Sequence, residues 1–175
     1  MEPGLLVASP QMRDTNFARS VVLLLQHNAS GALGLVINRT TSLKVTDVTA
    51  RLKLPQGKAS NAVALWGGPV EPGAGFVVYG GEESEGWNVS PGIAVSSSRE
   101  RLANLHIQDQ RFLLCLGYAG WGPGQLDEEF ETGSWVWVEA SPEVVFESDL
   151  GQRYDIALAT LGVTAQNLWM FPVNE

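Results

Sequence analysis

The sequence predicts an α+β domain, and three of its features carry that expectation. Apolar, β-rich runs such as residues 20–26 and 112–118 read as central strands buried on both faces. Between the strands lie only short amphipathic windows flanked by capping residues. Glycine-rich corners, Gly67-Gly68-Pro69 and the stretch from Gly117 to Gly124, punctuate the strands where the backbone has to bend.

In chain order, residues 4–8 form a short apolar strand closed by Ser9-Pro10. Asp14-Thr15-Asn16-Phe17 is a turn, with Asp14 placed to accept backbone N–H groups and Phe17 to fold inward. Residues 20–26 and 32–38 are strands, joined by the five-residue loop His27-Asn28-Ala29-Ser30-Gly31 as a hairpin. Thr41 or Thr46 caps a helix through 47–54, with Val45, Val48 and Leu52 on one face and Pro55 ending it. A polar loop over 56–61 leads to strands at 63–66 and 75–79, then to an exposed acidic loop over 80–86. Residues 93–95 form a strand, and Ser96, Ser97 or Ser98 caps a helix reaching His106. After the central strand 112–118, Pro123 suits a first helical turn, Leu126 and Phe130 share a face, and Gly133 suits the helix end. Residues 134–139 alternate as a half-buried strand, with Trp135 and Trp137 on one face. A strand over 144–146 follows, then an Asp149–Gln152 capping pair and a helix with Leu150, Tyr154, Leu158 and Leu161 on one stripe, ended by Gly162. Leu168–Phe171 reads as a docked apolar tail. Repeats and linkers are not apparent, so residues 1–175 read as a single domain.

Composition narrows the functional classes. The 175 residues carry 19 acids and 11 bases, a formal charge of −8, which repels phosphate backbones and argues against direct nucleic-acid binding. Runs approaching the roughly 20 apolar residues of a membrane helix, and a signal-peptide pattern, are not found, so a cytoplasmic protein that does not engage a membrane is expected. Cys115 is the one cysteine and reads as a buried, inert thiol. With only His27 and His106 beside it, neither at ligand spacing, a metal site is not expected, and no cofactor is implied. Both histidines read as surface or capping residues.

Catalytic patterns are weak. Ser20, His27 and Asp14 are close in sequence, but a strand sends neighbours to opposite faces, and no catalytic residue is assigned. The acids Asp127, Glu128, Glu129 and Glu131 read as the solvated face of a short helix. The turn Gly120-Trp121-Gly122-Pro123-Gly124 has the order of an anion cradle, a strand feeding a helix N-terminus. Pro123 removes a donor there, however, and the acids behind it repel a phosphate. Gly67-Gly68-Pro69 and Gly80-Gly81 could line one cleft with Trp66 and Trp121, or could equally be corners of a strongly bent sheet.

Several stretches together resemble the YqgE/AlgH family over nearly the whole chain. They are residues 5–10, residues 14–22, residues 27–39 (His-Asn-Ala-Ser-Gly-Ala-Leu-Gly-Leu-Val-Ile-Asn-Arg), Gly67-Gly68-Pro69-Val70, Ser97-Ser98-Arg99, Leu116-Gly117-Tyr118-Ala119-Gly120-Trp121 with Gly124-Gln125-Leu126, and Ala157-Leu158 before Leu161-Gly162. The resemblance implies a compact α+β domain on a bulged, strongly coiled, mixed or antiparallel sheet with flanking helices. It also carries a regulator label, from an association with alginate production, and no established activity. The chain departs from the family's usual tail at 167–171, and Tyr154 stands where a tryptophan is common.

The resulting expectation is a non-enzymatic binding or regulatory domain acting on an unidentified protein partner. Its candidate surface comprises Asp14, Phe17, Arg19, His27 and Asn28, with Gly67, Gly68 and Pro69 and with Tyr118, Gly120, Trp121, Gly124 and Gln125. The alternative is an anion- or nucleotide-binding protein, or an enzyme, that uses the two glycine turns for a small-molecule ligand.

Overall fold

A computed structural model describes residues 1–12, 14–55, 62–108 and 110–162. Ten strands make one sheet: β1 (Gly4–Ala8), β2 (Val21–Asn28), β3 (Gly31–Val36), β4 (Thr40–Lys44), β5 (Val63–Trp66), β6 (Val70–Tyr79), β7 (Trp87–Ser90), β8 (Ile93–Ser96), β9 (Phe112–Trp121) and β10 (Trp135–Val138). The order is β10-β1-β2-β3-β9-β6-β8-β7, with β5 parallel to β9 and β4 antiparallel to β5. Among the described residues four short α-helices flank it: α1 (Val45–Arg51), α2 (Arg99–Ile107), α3 (Gln125–Glu131) and α4 (Arg153–Ala159). The α+β class and the mixed, mainly antiparallel sheet therefore hold. Four register shifts, at Leu24/Gln26, Thr40/Lys44, Val70/Gly75 and Asn88/Ser90, give the expected bulges.

β9 organises this sheet because its two halves have different neighbours. Cys115 and Leu116 pair with β5, whereas Ala119–Trp121 pair with β3. The changeover falls at Gly117, whose φ of +78° an L-residue rarely adopts. A Cβ built there would lie 2.4 Å from Gly68 O, and one on Gly68 would lie 2.1 Å from the Tyr118 carbonyl carbon. The two glycine motifs thus interlock backbone against backbone, and are corners of one bent sheet. Gly67 then continues the ladder on both sides: its N–H donates to Leu116 O and its carbonyl accepts from Val36 N, each at 2.8 Å.

Burial follows the apolar runs. Val21 to Leu25 are at most 3% exposed, as a central strand requires. The larger apolar cluster joins β1, β2, β3 and β10 to Leu126 and α4. A smaller one, Val45, Ala64, Val77, Tyr79, Ala94, Leu102, Leu105 and Leu114, lies under α1 and α2.

Several local expectations are corrected. The β2–β3 connection is two residues, Ala29-Ser30, because the strands continue through Asn28 and Gly31; Asn28 Oδ1 accepts the Ser30 N–H at 2.8 Å. β4 and β7 are additional strands, and β6 begins at Val70. α1 starts at Val45, where Asp47 Oδ2 accepts the Lys44 N–H; the Thr41 hydroxyl is engaged with Ala64 O instead of capping. Ser98 caps α2 through the Arg101 N–H. Residues 143–147 form a π-helical turn rather than a strand, and the chain closes on itself there, with the Val145 N–H donating to Ser141 O at 3.0 Å. Asp149 receives Gln152 N through its backbone, without a side-chain cap. In the 80–86 loop Glu83 is not solvated: its carboxylate accepts from Tyr79 Oη and, at 3.0 Å, from Arg101 Nε, and its side chain is 6% exposed. The Tyr79 hydrogen bond is the main influence holding this carboxyl below its ordinary range. On the final stripe, Tyr154 and Leu158 are buried but Leu161 is 46% exposed. The polar loop at 56–61 and the tail at 168–171 lie outside the described residues.

The corner predicts a sharp contrast between two glycines of β9. Gly117→Ala should lower the unfolding free energy by at least about 2 kcal/mol, through positive φ and backbone overlap together. Gly120→Ala would place its carbon 3.7 Å from Tyr118, an ordinary contact, and should change stability by less than about 1 kcal/mol. Urea denaturation of both variants checks this, and equal effects would contradict it.

Candidate functional site

In the connection from β1 to β2, residues 14–20 are mostly polar and tightly held. Asp14 Oδ1 accepts the Asn16 N–H at 2.8 Å, and Asp14 O accepts the N–H groups of Phe17 and Ala18 at 3.0 and 2.8 Å, so an Asx turn opens one helical turn. Such a turn leaves carbonyls without intrahelical donors. Arg39, between β3 and β4, gathers them: it donates to Thr15 O at 3.3 Å, to Ala18 O at 2.5 Å and to Asn16 O. Its guanidinium lies 5.5 Å from the centroid of the Trp66 ring. Burial pulls the Arg39 pKa down, and the charge of Asp14 opposes that.

Asn38 secures the loop exit. Its amide donates to Arg19 O and its Oδ1 accepts from Val21 N, both at 2.9 Å, standing in for a strand neighbour at the first residue of β2. Arg19 itself has φ +57°, uncommon outside glycine. Its guanidinium sits 4.5 Å over the Tyr154 ring and 3.6 Å from Asp155.

Phe17 points inward, as expected. It stacks on Trp121 with centroids 6.3 Å apart and meets the edge of Trp135 at 5.9 Å. Both indole N–H groups donate to Glu129 Oε1, at 3.1 and 3.0 Å, while Glu129 Oε2 accepts from Gln125 Nε2 at 2.9 Å. Gln125 Oε1 accepts the Gly122 N–H at 3.0 Å. His27 Nε2 is 3.3 Å from Asp127 Oδ1, which ties the β2–β3 hairpin to α3.

Comparison with known proteins places this architecture. A family model described as AlgH-like matches residues 5–166. The chain belongs to the AlgH-like family. A UPF0301 protein of Myxococcus xanthus is 42% identical over 174 residues, covering 97% of this chain and 96% of the relative. One from Burkholderia multivorans is 38% identical over 173 residues, covering 93% and 89%. Among solved structures, the solution structure of the AlgH protein from Pseudomonas aeruginosa matches with a TM-score of 0.78 at 34% identity, covering 96% of this chain and 92% of that one. A crystal structure of a protein from Corynebacterium diphtheriae shares the fold, with a TM-score of 0.70 at 24% identity over 86% and 83% of the two chains.

In this AlgH-like chain the candidate residues fall into four groups. Phe17, His27, Trp121 and Gln125 come together around α3, with Asn28 and Gly124 at its edge. Asp14 and Arg19 lie in the loop held by Arg39. Gly67, Gly68 and Pro69 belong to the corner. Tyr118 and Gly120 point away from Trp121 by strand alternation, and Tyr118 packs on Phe76 at 6.0 Å. The grouping of Ser20, His27 and Asp14 dissolves: Ser20 Oγ donates to Phe17 O at 2.7 Å, and the other two have the partners given above. At the turn kept as an alternative anion cradle, the Gly122 N–H is engaged by Gln125 and α3 is seven residues long. Glu129 is no solvated acid but the hub of two indoles. His106 is buried at 6%, not a surface residue, and its Nε2 has no hydrogen-bond partner among the described residues. Cys115 is fully buried, with its thiol pushed up to about 12 by burial against an opposing effect of Arg153.

Sequence reasoning missed Asn38, Arg39, Glu129 and Trp135 as parts of this assembly, and named Trp66 only as a cleft wall beside Trp121. The readable signals were the polar pair Asn38-Arg39 ending an apolar strand, and the four-residue spacing of Gln125 and Glu129.

Removing the Glu129 carboxylate leaves two indole donors unpaired, with Trp135 fully buried. Glu129→Ala should therefore cost about 2–4 kcal/mol, whereas Glu129→Gln keeps an acceptor and should cost under about 2 kcal/mol. Chemical denaturation followed by tryptophan fluorescence separates the two outcomes.

Proposed function

We propose that this AlgH-like protein is a non-enzymatic binding or regulatory domain that acts through contacts with a protein partner in the cytoplasm. Its contact surface is the loop at 14–19. The observation that carries the reading is the way this exposed loop is fixed: Arg39 clamps three of its carbonyls, Asn38 anchors its exit, and Arg19 keeps a positive φ. A surface ordered before contact avoids the entropic cost of ordering during association, which favours recognition by shape and polar groups. Asp14, Thr15, Asn16 and Arg19 are exposed on it, and both signs of charge are presented side by side. The overall charge of −8 favours partners with complementary basic groups.

Asn16 offers a clean probe, since the contacts described for it are backbone ones and its side chain is exposed. Asn16→Arg should leave the melting temperature within about 2 °C of wild type and weaken a specific partner at least about tenfold. Quantitative affinity capture from native extract, followed by titration of the recovered partner against both proteins, measures this. Equal capture by the variant, or no enrichment by wild type across growth conditions, would overturn the reading.

A further inference from the structure

The smaller apolar cluster borders an open space over Gly75. On β6 and β9 the cross-strand pairs Val77–Leu114 and Gly75–Leu116 share one face of the sheet. Three of these positions carry large side chains and the fourth is glycine. A Cβ built on Gly75 would be 3.8 Å from Leu114 and 4.0 Å from Leu116, ordinary contacts, and its φ is not left-handed. Glycine in a strand weakens it, and is otherwise explained by a bulge, a bend or the close approach of another backbone or a ligand. The register of β6 resumes at Gly75 after its bulge, and among the described residues no backbone fills the space above it. It opens into a cavity of about 240 Å³ between α1 and α2, walled by Leu52 and Leu102.

The lining of this cavity includes one charged side chain, Arg99. Arg99 reaches from the first turn of α2 to donate to Leu52 O at 2.6 Å, at the end of α1. That contact uses one of the five N–H groups of its guanidinium. The Ser97 and Ser98 side of the opening supplies polar groups.

We propose that this cavity is a binding site for a small amphiphile, an unbranched acyl carboxylate whose chain lies over Gly75 and whose head group meets Arg99. The volume corresponds to about eight water-sized groups, which fits a chain of roughly six to eight carbons. The site is separate from the loop at 14–19 and takes a different class of ligand from the protein partner proposed above.

Isothermal titration calorimetry with straight-chain carboxylates from butanoate to dodecanoate, kept below their micellar concentrations, tests the assignment. Affinity should rise about three- to fourfold per added methylene up to about octanoate, and then level off. Arg99→Gln should weaken octanoate at least about fivefold while leaving 1-octanol unchanged. Gly75→Leu should abolish binding. Gly75→Ala, which the strand accepts without overlap, should move the break in the series to a chain about one methylene shorter and so keeps the test decisive if the leucine variant does not fold. Absence of binding at millimolar carboxylate, a rise without a break up to dodecanoate, or a break unmoved by Gly75→Ala would each overturn the proposal.

Discussion

The corner where Gly67-Gly68 meets Gly117 is the constraint on which the rest of the sheet depends. Two backbones approach there so closely that a β-carbon on any of the three glycines would overlap a peptide group, with Gly67's lying 2.3 Å from Gly117 O. The contact lets β9 exchange β5 for β3 as its neighbour without leaving the sheet. It also determines which side chains meet. Beyond the corner, Trp121 turns toward Phe17 and Trp135, and α3 is drawn in to supply the carboxylate their indoles require. Before it, Leu114 and Leu116 face α1 and α2. The aromatic hub and the small apolar cluster are therefore consequences of one bend.

The second constraint is closure of the chain by α4. Tyr154 Oη donates to Ala8 O at 2.6 Å, which links the end of β1 to a helix 146 positions later. Arg153, 3% exposed, donates to Ser148 Oγ at 2.8 Å, to Ser148 O at 3.1 Å and to Ile37 O. A buried guanidinium is expensive unless its donors are satisfied. Here neutral oxygens at the end of β3 and of the π-helical turn do so, and burial still pulls its pKa down. With Arg19 stacked on Tyr154, the helix fixes the rear of the 14–19 loop just as Arg39 fixes its front. That helps explain how a polar, exposed loop remains a defined surface.

How much of this could be read from the chain depends on the range of the interaction. Residues 21–25 announced a central strand because every one of them is apolar, and each is buried. Glycines at the corners could be read as bends, but their mutual contact could not, because 50 residues separate Gly67 from Gly117. β4, alternately exposed and half-buried, lacks the apolar contrast that marks a strand. Glu129 looked like one acid among four on a solvated helix, and only the positions of Trp121 and Trp135 distinguish it. Glu83 was obscured in the same way, since Arg101 lies on another element. Local signals set the elements; the polar residues that join elements acquire their roles from partners that sequence spacing does not reveal.

The two halves of β9 also differ in how fully their surroundings are packed, and that difference has a physical origin. Beside Trp121 one glycine is demanded by backbone approach: Gly31 has φ +133°, and a Cβ on it would lie 2.2 Å from Trp121 O. Its lack of a side chain is what permits close packing. At Gly75 the geometry is reversed, because a side chain would fit and the strand would gain from one. Aliphatic interiors normally fill such space, since an unfilled void forfeits the contacts its lining could have made. One glycine thus closes the structure while another leaves it open, and the open one lies beneath a rim carrying Arg99. A single residue type serves opposite purposes on the two sides of the bend, and the second leaves room beside it among the described residues.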